Sequence, residues 1–252
     1  MSRAALLAAA DGEPLIRWDW IGRNLDEIGS LLRDHLIMSI VPVVLGLAVA
    51  LPAGLACAQW RRLYAPVTAV TSALYALPAI AVFIVLIPFT GLTRTTVMIP
   101  LTLYTLSVLI PSVVDGLRSV PEHVRLSAVA MGYGPARRLA TVELPIALPV
   151  VMSGLRIATV SNISLVSVGA LLGQGGLGML FTDGANRDFT TPIIVGIVLS
   201  VALALVADAL LLLVQWLLTP WSRAGRGRGA RAERRAAAAG HADAAPVEEA
   251  AL

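Results

Sequence analysis

Few side chains in this sequence can do chemistry, and their placement matters more than their number. Asp208 is the only formal charge in the apolar run from Ile193 to Leu218, with Gln215 two turns later. An intramembrane carboxylate is a functional candidate by default. Here it is expected to pair with a neighbouring helix or to reach toward water. Ser161, Ser164 and Ser167 recur every three residues with Asn162 alongside, which gives one helix a polar side. Such a stripe either lines a translocation path or packs against a neighbouring helix, packing being the commoner use of small polar residues in membranes.

The remaining reactive residues exclude more than they suggest. His35, His123 and His241 are scattered without metal-ligand spacing and are expected as solvated or interfacial side chains, so no metal site is read here. Cys57 is the single cysteine, which rules out an intrachain disulfide and a cysteine cluster. No HExxH, no GxSxG and no pair of membrane carboxylates occurs, so no catalytic residue is assigned. All 19 basic residues are arginine; without lysine there is no phosphate loop of the Walker type, and any ATP and Mg must be bound by another chain. The run Gly173 to Gly178 follows an apolar helix rather than a strand, so it lacks the context of a dinucleotide fingerprint. It reads as a tight turn.

The elements that must position these residues are membrane helices. The 252 residues are 57% hydrophobic and 14% charged, with a mean hydropathy of +0.81, against about 45–50% and 25% in soluble domains. Stretches near 20 apolar residues are needed to cross a bilayer. Five are read: Leu36 to Ala58, two within Leu63 to Val114 divided at Gly91 to Arg94, Pro149 to Leu172, and Ile193 to Leu218. Arg61, Arg62, Arg118, Arg125, Arg137 and Arg138 fall on one side of this arrangement, and Arg94 and Arg187 on the other. The arginine-rich side is then cytoplasmic, with the amino terminus outside. Residues 1–35 form an extracytoplasmic or interfacial segment, in which Trp18, Trp20, Ile21, Leu25, Ile28 and Leu31 suggest one amphipathic helix on the membrane surface. Residues 221–252 are expected to be a disordered cytoplasmic tail rich in Arg and Ala. Its six arginines from Arg223 to Arg235 fit membrane orientation, not nucleic-acid binding.

Residues 115–149, inside the 36–220 membrane domain, describe a helix, a corner and a second helix. Pro121 and Glu122 suit a first helical turn, and Gly132 suits a left-handed cap, with Gly134 and Pro135 restarting the chain. Val124, Ala128 and Met131 make an apolar stripe, and Ser127, Ala128 and Ala130 a small-residue face. Pro145 and Pro149 are expected to break or bend the return.

This elbow, with Glu143-Leu144-Pro145-Ile146-Ala147-Leu148-Pro149 behind it, resembles the cytoplasmic EAA loop of bacterial ABC-importer permeases. Leu51-Pro52-Ala53-Gly54, Leu77-Pro78, Gly116-Leu117-Arg118 and Gly173 to Gly178 look like permeases of the glycine betaine, carnitine, choline and proline osmoprotectant importers. The resemblance covers about Leu36 to Pro220. It implies an all-α membrane protein of the type I ABC importer permease kind, with about five transmembrane helices and a coupling helix. It implies a bacterial multi-pass inner-membrane protein that is not itself an enzyme. Its partners would be an ABC ATPase subunit dimer, a second permease copy, identical or related, and an extracytoplasmic solute-binding protein.

In that family the loop docks on the ATPase, so Ser127, Ala128, Gly132, Glu143, Leu144, Pro145 and Pro149 are the coupling residues implied. Leu126 stands where the loop glutamate is usual, so a charge contact there is either missing or supplied by Glu122 or Glu143. Another small solute, such as an amino acid, is an alternative cargo. A secondary transporter would need a coupling-ion site, for which only Asp208 is available.

Overall fold

The computed structural model describes residues 15–221, and every regular element among them is helical. The tail, Arg223 to Arg235 and His241 lie outside the described residues. A short helix α1 (Trp18–Arg23) ends at Asn24, and α2 (Leu25–Gln59) follows at once. The single amphipathic helix expected at the start is therefore two helices, and Leu25, Ile28 and Leu31 belong to α2. Asp26 and Glu27 occupy the first turn of α2, where acidic side chains favour the positive helix end. This is why α2 starts eleven residues before the apolar run: a helix needs apolar residues only where it meets lipid.

The second expected span is broken. Helices α3 (Arg61–Ala76) and α4 (Ala79–Thr90) meet at a bend of 94°. Pro78 drives Leu77 into extended backbone (φ −71°, ψ 138°), the conformation that a residue before proline prefers. Among the described residues, four helices are long and apolar enough to cross a membrane, or five if the bent pair counts as one span. Gly91, at φ 71°, closes α4. Its carbonyl accepts from Thr96 Oγ1 at 2.6 Å, in the first turn of α5 (Arg94–Arg118).

The α5 helix is the axis of the packed unit. It buries residues along its whole length and packs against α2, α3, α4 and α8 (Leu144–Val166). Apolar side chains from α2, α5 and α8 meet at Ala50, Cys57, Leu109, Ile110, Val114 and Ala158. Lipid is as apolar as the core, so membrane helices associate through close packing more than through hydrophobicity. Accordingly a Cβ on Gly46 would come within 2.4 Å of Thr105, and one on Gly154 within 2.1 Å of Ser112.

Between α5 and α8 lie α6 (Glu122–Ala130), α7 (Pro135–Arg138) and a π-helical turn, Leu139–Glu143. Pro145 and Pro149 do not break the return, which runs as one helical stretch from Pro135 to Leu172. Proline clashes with the carbonyl four residues earlier. For Pro145 that carbonyl belongs to Thr141, in the wide π turn, while Pro145 itself sits in the first turn of α8. Short 3-10 turns at Ser167–Leu172 and Gly176–Gly178 lead to α9 (Met179–Asn186) and then to α10 (Thr190–Leu218). The packed unit extends to residue 212. In the second unit, the described residues end α10, and Thr219 Oγ1 donates to the Gln215 carbonyl at 2.7 Å.

Candidate functional site

The elbow forms as its residue types dictate. Pro121 is the residue just before α6, one position earlier than expected, and Glu122 takes the first turn. Gly132 adopts φ 79°, and Tyr133 N–H donates to the Ala128 carbonyl at 3.0 Å, the bond pattern of a left-handed glycine cap. Pro135 opens α7, preceded by Gly134 in extended backbone.

Two faces of α6 then differ. Ala128 is 1% exposed, buried within this chain, while Ser127 and Ala130 are open to solvent. Leu126, Val129 and Met131 are 62%, 51% and 67% exposed. Leu126 and Val129 lie one turn apart on the outer side of α6 and Met131 follows as its C-cap, and exposed large apolar side chains grouped on one element signal an interaction surface. Behind them, Glu143 is nearly buried and accepts from Arg138 Nε at 2.7 Å, with Arg125 Nε 3.8 Å from the same oxygen. Arg125 also donates through Nη2 to the Leu117 carbonyl, at the end of α5. One carboxylate thus ties α6, α7 and the π turn together above a 490 Å³ cavity reaching Leu55, Gln59 and Leu139. Of the two acids left to replace the loop glutamate, Glu143 is engaged inside its own chain and Glu122 is exposed. Leu144, Pro145 and Pro149 are half-buried, Leu144 against the cluster of Val113, Leu117, Ala147 and Val151.

The polar stripe, on α8 except for Ser167 in the 3-10 turn that follows, splits between two environments. Asn162 is 1% exposed and donates through Nδ2 to Thr105 Oγ1 of α5 at 2.9 Å. Ser164 is exposed, and Ser161 and Ser167 are half-buried.

His35 corrects the expectation of a solvated imidazole, although His123 is exposed as expected. His35 is fully buried, with Nδ1 3.2 Å from the Leu177 N–H and Nε2 2.8 Å from the Ile163 carbonyl. A backbone N–H can only donate, so Nδ1 accepts, and the ring proton on Nε2 is given to Ile163. The glycine run is a turn pressed onto α2: Gly176 has φ 51°, and a Cβ there would lie 2.7 Å from His35. On the same side, Arg94 meets Asp34 at 2.7 Å, Trp20 stacks edge-on with Phe189, and Arg17 N–H donates to Thr191 Oγ1.

Asp208 pairs with a neighbouring helix. Arg156 of α8 holds it in a two-pronged contact, Nε to Oδ1 at 2.7 Å and Nη2 to Oδ2 at 2.8 Å. Arg156 is a lone charge seven residues into the apolar stretch Pro149 to Leu172, and nothing in the sequence pairs it with Asp208. No group of three or more His, Cys, Asp or Glu that could hold a metal ion occurs among the described residues.

The family model described as the binding-protein-dependent transport system inner membrane component matches residues 50–216. The choline transport system permease protein OpuBD of Bacillus subtilis is 38% identical over 198 residues, 78% of this chain and 85% of that protein. The glycine betaine/carnitine/choline transport system permease protein OpuCD of the same organism is 38% identical over 185 residues, 73% and 79% of the two chains. The osmoprotectant import permease protein OsmW of Salmonella typhimurium is 31% identical over 202 residues, 78% and 94%. A chain of the MetNI methionine ABC transporter, solved in inward facing conformations, shares the fold with a TM-score of 0.67 and 23% identity, over 75% of this chain and 94% of that one. Helical architecture, apolar spans and these matches agree that the chain is a multi-pass membrane permease component rather than an enzyme, and that it belongs to the family of binding-protein-dependent transport system inner membrane components.

Proposed function

We propose that this chain is one of two permease subunits, identical or related, that together form the membrane path of an ATP-driven importer for a small osmoprotectant such as glycine betaine, choline, carnitine or proline. Relatives named for choline, glycine betaine and carnitine transport support the cargo class. The reading rests above all on the elbow, where Leu126 and Val129 of α6 and Met131 at its C-cap stand exposed and Glu143 braces the turn within the chain. A braced apolar helix end is suited to seat in a partner's groove. The partner is an ATPase dimer that binds ATP and Mg, since this chain has no lysine for a phosphate loop.

The elbow lies in the cytoplasm, the amino terminus outside, and an extracytoplasmic solute-binding protein delivers the cargo. This assignment follows the arginines, with the bent pair α3–α4 counted as one of five spans. Ser127, Ala130 and Gly132 border the docking face, Ala128 fixes the helix to its own chain, and Leu144, Pro145 and Pro149 carry motion from the elbow into α8. Ser161, Ser164 and Ser167 face the path, and Asn162 holds α8 to α5 behind them.

The test uses the chain co-expressed with a phosphate-loop ATPase subunit and a solute-binding protein. Leu126→Asp with Met131→Asp should leave membrane insertion unchanged, release the ATPase on purification and lower ATP-dependent betaine or choline uptake by about ten-fold or more. Uptake by this chain alone in sealed vesicles, without ATP or an ATPase, would sink the reading.

A further inference from the structure

The Arg156–Asp208 pair lies within the apolar helices α8 and α10, where charges are costly. Arg156 is twelve residues into α8 and Asp208 ten residues before the end of α10. Arg156 is also seven residues inside the apolar stretch that begins at Pro149, so at a rise of 1.5 Å per residue the two charges lie about 10 Å and about 15 Å inside their apolar stretches, within a hydrocarbon core about 30 Å thick. Formal charges there almost always face a protein interior or a water-filled cavity, and they mark solute pathways.

This pair is not sealed between its helices. The side chains of Arg156 and Asp208 are 30% and 28% exposed. They open onto a groove of about 600 Å³ between α8 and α10 that is open on one side, walled also by Ser153, Ser161, Ile157 and Leu205. That volume lies within the range of small-molecule sites, about 300–1,000 Å³. A guanidinium has five N–H donors, of which the contact with Asp208 uses two, and each carboxylate oxygen has a further lone pair. Both charges therefore keep capacity for a second partner.

We propose that this groove is a transit site for a zwitterion, a solute with a substituted ammonium at one end and a carboxylate at the other. Its ammonium lies against Asp208 and its carboxylate against Arg156, antiparallel to the ion pair. Four charges then alternate in sign with no net charge left at membrane depth, the arrangement that best offsets desolvation. A simple cation such as choline meets Asp208 as well, but offers Arg156 no anion and leaves a net charge in the site, so the site favours betaine-like solutes over choline. The proposal rests on the transport reading and adds to it the residues that recognise the cargo inside the membrane.

The experiment uses the assembled complex, with Cys57→Ala to remove the native thiol and Ser161→Cys to place one on the groove wall. Glycine betaine should slow alkylation of that thiol by about ten-fold, and choline at equal concentration by far less. Replacing both charges by neutral amides, Arg156→Gln with Asp208→Asn, should abolish that protection and cut betaine uptake about ten-fold, with the amount of assembled complex unchanged. Equal alkylation rates with and without betaine overturn the site. So does protection that survives in the amide pair, and so does loss of the assembled complex in that variant, which would mark a purely structural ion pair. ATP-dependent betaine uptake by the unmodified complex separates the two ideas. Its presence without protection removes the site alone, and its absence removes the cargo reading together with the site.

Discussion

Removing the imidazole of His35 strands two buried backbone groups, the Ile163 carbonyl and the Leu177 N–H. An unsatisfied buried polar group costs about 1–3 kcal/mol, so His35→Leu should lower stability by on the order of 2–4 kcal/mol. A thermal melt of the purified complex checks this, and an unchanged midpoint would show that His35 does not hold the glycine turn on α2. The turn has little freedom to compensate, because Gly176 is both left-handed and in contact with the His35 backbone. Neither partner could be foreseen at this position, since they lie 128 and 142 residues away in sequence. A histidine among apolar residues looks interfacial until its partners are known.

At the scale of the element, the elbow divides its work between faces. Glu143 braces it from within through Arg138 and Arg125, while Leu126, Val129 and Met131 are left outside. Residues that act as one network are not additive when removed. Glu143→Ala and Arg138→Ala should each weaken coupling of ATP hydrolysis to uptake by several-fold, roughly what one buried charge-assisted bond is worth. The double variant should be little worse than either. Uptake measured per ATP hydrolysed tests it, and strictly multiplicative losses would mean that Glu143 acts apart from Arg138. The capping signals at Gly132, Gly134 and Pro135 were readable because they are local chemistry. That Ala128 faces inward was not: α6 offered both an apolar stripe and a small-residue face, and only the contact with α7 and the π turn selects between them.

Across the whole molecule, orientation is the property that labelling can decide. In a Cys57→Ala background, Arg62→Cys should react with an impermeant thiol reagent only from the cytoplasmic side, and Thr93→Cys only from the opposite side. The same sidedness for both would mean that the bent pair α3–α4 is re-entrant and does not cross. The sequence marks the pivot of that pair, Leu77-Pro78, because proline acts on its immediate neighbour. The 94° angle comes from helix packing instead: Phe83 of α4 is fully buried with Met38, Val97, Leu101 and Val166.

By itself the sequence determined that the chain is a bundle of apolar helices with a capped elbow and no nucleotide-binding loop. Length, hydropathy and cap residues act over a few neighbouring positions and need no knowledge of the fold. Tertiary structure alone decided which polar groups meet: His35 with Ile163 and Leu177, Asn162 with Thr105, and Arg156 with Asp208. In a medium without water each such group must find a partner on another helix, and helix packing, not spacing along the chain, sets which partner comes within reach.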